Sequence, residues 1–246
     1  MKPFLFLGTR AEDDAADSEY AAILRCGGLE ERDVRRVRVE RDERDQLRDI
    51  DLDDLSGVIL GGGPFNSSDP EETKSPVQRQ AEAALRALAG RVLAADAPFL
   101  GCCYGIGVLG GLGGGLVDRT FGEPISSRRI TLTDAGRLDA LFGVLPPAFD
   151  ALLGHKEAVA RLPLGAELLA SSATCPVQAF RMGRNVYATQ FHPELDGEGL
   201  ALRIATYRHH GYFEPDEFED LMAMAHAAHV DQPPRLIARF VELYAR

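Results

Sequence analysis

The chain has 246 residues, 45% hydrophobic and 26% charged, enough to bury a large core as one globular domain, with or without a small appendage. Its 38 acidic against 27 basic residues give a formal charge of -11, which excludes a general electrostatic attraction to nucleic acid or an anionic membrane and leaves small molecules or proteins as partners. Cys26, Cys102, Cys103 and Cys175 have no C-x-x-C spacing, which argues against a disulfide framework or a structural zinc site; no apolar run approaches the roughly 20 residues of a membrane span, and a reducing cytoplasm is the expected setting.

Pro3 to Gly8 predicts a buried first strand, and Asp17 to Cys26, with Tyr20, Ala21 and Leu24 at helical spacing, predicts the helix after it. Val34, Val37 and Val39 mark a second strand, and the charged stretch from Glu40 to Asp54 is a solvated connection or helix. Gly57-Val58-Ile59-Leu60 is a third apolar run, ending in the loop Gly61-Gly62-Gly63-Pro64-Phe65-Asn66. That loop lacks the Lys-Ser/Thr that completes a phosphate-binding P-loop, so its backbone N–H groups are expected to face an oxyanion instead. Ser75-Pro76-Val77-Gln78 has the form of a helix start, with serine as cap, proline first and glutamine placed to close a capping box. Val77, Ala81, Ala84, Leu85 and Leu88 mark its expected buried face. Alternation of strand and helix predicts an α/β fold of parallel strands with helices on both faces, in which sites gather at the carboxyl ends of the strands.

The next apolar run, Pro98 to Gly101, stops abruptly at Cys102-Cys103-Tyr104-Gly105, and a helix is expected from Tyr104 to Leu112. A strand must turn sharply to enter that helix. Gly101 and Gly105 bracket the turn, where side chains would collide with neighbouring backbone, and Cys103 is left exposed on a strained elbow at a helix N-terminus, which favours thiolate. Inert packing is the usual fate of a free cysteine, and the glycine bracket argues against it here. Gly105 to Gly110 also matches G-x-G-x-x-G, but it follows the wrong strand for a dinucleotide fold and no acidic ribose ligand is evident, so no cofactor is expected.

Gly115 to Val117 and Ile125 to Leu132 read as short strands, and Leu138 to Phe142 as a helical turn before Pro146-Pro147. Glu167 to Ser171, Val177 to Met182 and Asn185 to Phe191 are further strands, the last two joined by a hairpin at Gly183-Arg184, so the sheet is expected to be mixed. Gln190-Phe191-His192-Pro193-Glu194 follows. If strand geometry persists, His192 and Glu194 point to one side, and Glu194 can orient the imidazole as a base for a thiol nucleophile. From Leu200 onward the pattern is helical, with stripes at Phe218, Leu221, Met222, Ala225 and at Leu236, Phe240, Leu243, Tyr244 that read as core packing. His209, His210, His226 and His229 have no acidic or thiol partner at ligand spacing, and no metal is expected.

Three blocks, Gly62-Gly63-Pro64, the Pro98 to Gly105 elbow and Phe191-His192-Pro193-Glu194, resemble in order the motifs of class I glutamine amidotransferases, among them free-standing proteins similar to the glutaminase domain of GMP synthetase. The resemblance covers most of the chain. It implies a three-layer α/β/α sandwich with a mixed, mainly parallel sheet over residues 1–205 and a helical extension over 206–246 packed on the same domain. It further implies glutamine hydrolysis with Cys103 as nucleophile and His192 and Glu194 as its partners. Oxyanion and substrate contacts fall by resemblance on Gly62, Gly63, Phe65, Tyr104 and Gly107, and on His155, Lys156 and Glu157 of the segment that lies along the substrate in relatives. Two departures stand out: Gly107 replaces the family's usual glutamine, and Glu157 stands where aspartate is common. No Ser-Gly-Gly-x-Asp-Ser nucleotide loop is present, so use of released ammonia would need a synthetase in trans. An enzymatic rival is a γ-glutamyl amide hydrolase or peptidase in which Gly107 leaves room for a substituted amide; a rival of another class is a regulatory relative without turnover.

Overall fold

Runs of four or five apolar residues, buried on both faces, satisfy their backbone by pairing on both edges, and they become the centre of one large sheet. The computed structural model describes the backbone of all 246 residues and every side chain except those of Asp42 and Glu43. In chain order the elements are β1 (Phe4–Gly8), α1 (Asp13–Gly27), β2 (Val34–Arg38), β3 (Gly57–Leu60), α2 (Pro76–Ala95), β4 (Phe99–Cys102) and α3 (Tyr104–Gly110). Then come β5 (Leu116–Asp118), β6 (Glu123–Leu132), α4 (Asp134–Leu138), β7 (Ala148–His155), β8 (Ala158–Arg161), β9 (Glu167–Ser171), β10 (Ala179–Met182), β11 (Val186–Thr189), α5 (Gly197–Thr206), α6 (Phe218–Ala227) and α7 (Pro234–Tyr244).

The nine-stranded sheet runs β2-β1-β3-β4-β11-β10-β9-β6-β7. Its first five strands pair parallel and the remainder antiparallel, while β5 and β8 form a separate small ribbon. Alternation along β1 decides the layers: Leu5 and Leu7 pack toward α2 and α3, Phe4 and Phe6 toward α1 and α7. The result is the expected three-layer α/β/α sandwich with a mixed sheet. Fully buried Leu236, Ile237 and Phe240 of α7 join that second core, each contributing about 1.5–3 kcal/mol by leaving water.

Several local expectations change. Helix α1 starts at Asp13, four residues early, with Asp13 and Asp14 in its first turn. Ser75 caps α2 by accepting from the Gln78 N–H at 3.1 Å, but the reciprocal half of the capping box does not form, because the Gln78 amide donates instead to Asn66 O and Glu82. Val77 is 40% exposed, and buried Gln78 and Glu82 take the inner face near this end. That polar face ties α2 to the glycine loop. The helical turn expected at Leu138 to Phe142 lies earlier, at α4, where Thr133 caps the helix, and a 3₁₀ turn follows at Phe142–Val144. Strands β7 and β8 were not anticipated; the structure places them around the 154–159 segment. No helix is long and apolar enough to cross a membrane among the described residues.

Candidate active site

Strand β4 ends at Cys102 and α3 begins at Tyr104, leaving Cys103 between them at φ 51°, ψ -96°. A non-glycine residue there costs on the order of 1–3 kcal/mol, and surrounding bonds must hold it. The Cys103 N–H donates to Thr189 O at 2.8 Å, and the Ile106 N–H donates to Cys103 O at 3.0 Å. A Cβ on Gly101 would lie 2.9 Å from the Gly105 carbonyl carbon, so the turn closes only on glycine. The two adjacent thiols are thereby separated: Cys102 is fully buried, and burial drives its pKa well up, whereas half-buried Cys103 borders open cavities.

His192 reaches this sulfur by another route than the sequence suggests. Strand β11 stops at Thr189, and His192 and Glu194 occupy the turn beyond it, with the His192 N–H bonded to Leu152 O at 3.1 Å. The pairing survives the change of backbone: His192 Nδ1 and Glu194 Oε1 are 2.8 Å apart, and His192 and Cys103 line the same cavity. Burial, the largest influence, opposes charge on His192, but Glu194 and Cys103 together outweigh it and push its pKa up to about 9. Glu194 is likewise buried, which alone would raise it; His192 and Arg203 hold it well below the usual carboxylate range.

Arg203, on α5, is the partner the sequence did not disclose. Its Nη2 donates to Glu194 Oε1 at 2.9 Å and to Glu19 Oε1 at 3.4 Å, and Glu19 also accepts from Arg10 Nε at 3.2 Å. Two buried cations and two buried carboxylates thus balance one another behind the imidazole. The available signal was Arg203 itself, a charge on the otherwise apolar inner face of α5 beside Leu200, Ala201 and Ile204.

The glycine loop packs directly on this pair. A Cβ at Gly62 would collide with the His192 ring, and the Gly62 N–H is spent on Glu19 Oε1 at 3.2 Å. The Gly63 and Tyr104 amides have no acceptor among the described residues. Phe65 meets Tyr104 edge-on, ring centroids 5.8 Å apart.

Gly107 and Glu157 prove to be one feature. A Cβ on Gly107 would stand 2.9 Å from Glu157 Oε1 and 3.0 Å from Ser67 Oγ, so the space a larger residue would need is already occupied. Both Glu157 oxygens accept backbone N–H bonds at 2.7 Å, from Ser67 and Ser68. The expectation that Gly107 opens the pocket for a substituted amide is therefore corrected: the carboxylate fills that space. His155 has both ring nitrogens engaged, Nδ1 with Glu157 O at 2.9 Å and Nε2 with Glu123 Oε2 at 3.0 Å. Lys156 Nζ lies 4.4 Å from the centroid of the Tyr212 ring.

Two cavities meet at Cys103. One, of about 20 Å³, is bordered by polar Asn66, His155, Lys156, Glu157 and Gln190 together with Phe65 and Tyr104. The other, of about 60 Å³, lies on the side of His192 and Arg203 and is lined mainly by aliphatic and tyrosine side chains. His209, His210, His226 and His229 are all exposed. Glu123, His155 and Cys175 bring potential ligand atoms within 4.8 Å of one another, as do Glu19, His192 and Glu194. In both clusters the histidine and a carboxylate already bond each other directly; Glu123 also accepts from Thr174 and Gln178, and Glu194 and Glu19 from Arg203.

A family model for glutamine amidotransferase class-I matches residues 13–212. The chain belongs to this family. It is 33% identical over 155 residues to the GMP synthase [glutamine-hydrolyzing] of Mannheimia succiniciproducens, covering 60% of this chain and 27% of that protein. Against the enzyme of the same name from Actinobacillus succinogenes it is 31% identical over 154 residues, with 60% and 27% covered. The chain thus spans about a quarter of the length of these relatives. A solved glutamine amidotransferase from Thermotoga maritima superposes with TM-score 0.68 at 18% identity, covering 98% of this chain and 99% of that one. A glutamine amidotransferase from Methylobacillus flagellatus gives 0.66 at 17% identity, covering 100% and 96%. At such identities these two likenesses establish the fold.

Proposed function

We propose that this class I amidotransferase is a cysteine-dependent amidohydrolase that converts the γ-carboxamide of glutamine to glutamate and ammonia. The observation that carries the proposal is the conjunction of Cys103 on a strained elbow with an imidazole that lines the same cavity and is oriented by Glu194 at 2.8 Å. Cys103 Sγ attacks the amide carbon, and His192 passes a proton to the departing nitrogen. The resulting thioester is opened by water, which gives its proton back to His192. In this reading the Gly63 and Tyr104 amides receive the oxyanion, each donor worth about 3 kcal/mol of barrier. The polar cavity, with Lys156 and Glu157, takes the amino-acid end of the substrate. The mechanism calls on no cofactor or metal, and the ammonia is passed to a separate synthetase in a cytoplasmic setting. Residues 1–205 form the catalytic domain, with 206–246 a helical extension on it.

The direct test is glutamate and ammonia formation from glutamine by purified protein. Stoichiometric release that disappears in Cys103→Ala is expected; release unchanged by that substitution would sink the assignment.

A further inference from the structure

Neither cavity at Cys103 admits glutamine as it stands. At about 10–15 Å³ per water-sized group, spaces of about 20 and 60 Å³ hold roughly two and five such groups, against about ten non-hydrogen atoms in glutamine. A third cavity, of about 370 Å³, lies beyond them against Arg119, Pro124, His155 and Lys156, and Cys103 does not border it. Two residues, Gly154 and Tyr212, line all three. Gly154 is main chain of β7, so the side chain that divides the three spaces is Tyr212.

Tyr212 belongs to the connection between α5 and α6, which is fastened at its two ends. The Tyr207 hydroxyl accepts from Arg10 Nη1 at 3.3 Å, and the Phe213 ring stacks on Phe218, centroids 6.4 Å apart. Arg208 to Gly211, between them, are exposed. Among the described residues, one backbone N–H of 208–213 is bonded to a backbone carbonyl, that of His210 to Tyr207 O at 3.0 Å. Gly211, at φ 68°, immediately precedes the ring and offers a pivot. The ring itself rests under Lys156 Nζ, 4.4 Å from its centroid. That ammonium makes no ion pair or hydrogen bond among the described residues.

We propose that Tyr212 is a gate over Cys103 and that Lys156 is its latch, released by the free carboxylate of an amino-acid amide. The proposal rests on the amidohydrolase reading above for the identity of that amide and adds how it is admitted. A charge-assisted hydrogen bond to a carboxylate is stronger than the contact of an ammonium with a ring face, so an arriving carboxylate draws Lys156 off Tyr212. The ring then swings about Gly211, the three cavities join, and the carboxamide reaches the sulfur. An amide without that carboxylate leaves the latch closed.

The chain has no tryptophan, so Tyr212→Trp places a single indole at the gate, and Cys103→Ala in the same protein keeps the amide intact. Glutamine should shift the indole emission; glutamine α-methyl ester should not. Adding Lys156→Met should abolish the response to glutamine. The second readout is alkylation of Cys103 by iodoacetamide, small and uncharged, followed by peptide mass spectrometry. Tyr212→Ala should raise its rate at least about tenfold, because the reagent meets the sulfur in proportion to the open fraction, and Tyr212→Phe should restore the slow rate. A Tyr212→Ala rate within about threefold of the unsubstituted protein, or the same acceleration in Tyr212→Phe, overturns the gate. An indole that responds alike to glutamine and its ester overturns the latch. Neither readout needs turnover: a gate that behaves as described in a protein that does not hydrolyse glutamine sinks the amidohydrolase reading alone, and hydrolysis with an ungated thiol sinks this proposal alone.

Discussion

Two buried histidines in this protein each bond a carboxylate, His192 to Glu194 at 2.8 Å and His155 to Glu123 at 3.0 Å. They differ at the other ring nitrogen. His155 spends it on a backbone carbonyl, Glu157 O, and so ties the β7–β8 turn to the strand beside it. His192 instead lines the cavity that it shares with Cys103, and its carboxylate is braced from behind by Arg203. A histidine–carboxylate pair whose nitrogens both meet inert groups is a fastening, and one that shares a cavity with a thiol has the geometry that the proposed proton relay requires.

The sharpest way to break this contrast is to remove the sulfur. Cys103→Ala should lower glutamine hydrolysis by more than about 10⁴-fold, while Cys102→Ala should retain most activity and lose only packing stability, read from steady-state rates and a urea melt. The histidines come next. His192→Asn should reduce kcat by about 10³-fold with little change in melting temperature. His155→Ala should do the reverse, costing about 2 kcal/mol of stability with kcat changed less than tenfold. Equal losses of activity in the two variants would erase the distinction.

Gly107→Gln, which restores the residue more usual at that place, should lower kcat/KM by about tenfold or more because Glu157 occupies the space. Pairing it with Glu157→Asp should recover part of the loss, a coupling measurable by a double-mutant cycle. The smallest expected effect is electrostatic. His192, raised to about 9, stays charged up to that pH and loses the proton needed by the leaving nitrogen above it, so kcat should fall through that region. The same shift gives a stability contribution fully present below the ordinary value of 6.5 and lost as pH rises through about 9. Arg203 opposes charge on His192, so Arg203→Met should move the alkaline limb upward, and Glu194, no longer held down by that cation, should titrate at higher pH. An unmoved pH profile would reduce Arg203 to a structural role.

Much of this site was legible in the sequence because its constraints are local. The clash that makes Gly101 obligatory involves a residue four positions away, and strands buried on both faces announce themselves as unbroken apolar runs. His192 and Glu194 were found for a partly wrong reason, since a turn and not a pleat aligns them. What escaped depends on contacts between distant segments. Arg203 meets Glu194 only because α5 folds back across the site, and Gly107 reads as an opening until Glu157, fifty residues on, is seen to fill it. Strand β7 escaped because its Ala-Leu-Leu run suits a helix as well as an edge strand, and its partner β6 is largely exposed along its middle.

The central claim, that Cys103 and not its neighbour is the nucleophile paired with His192, is tested most directly by covalent labelling with a glutamine-derived chloroketone, read by peptide mass spectrometry. One adduct per chain on Cys103, absent from Cys103→Ala and formed far more slowly in His192→Asn, is the expected result. An adduct on Cys102, or labelling that persists undiminished in Cys103→Ala, would contradict it.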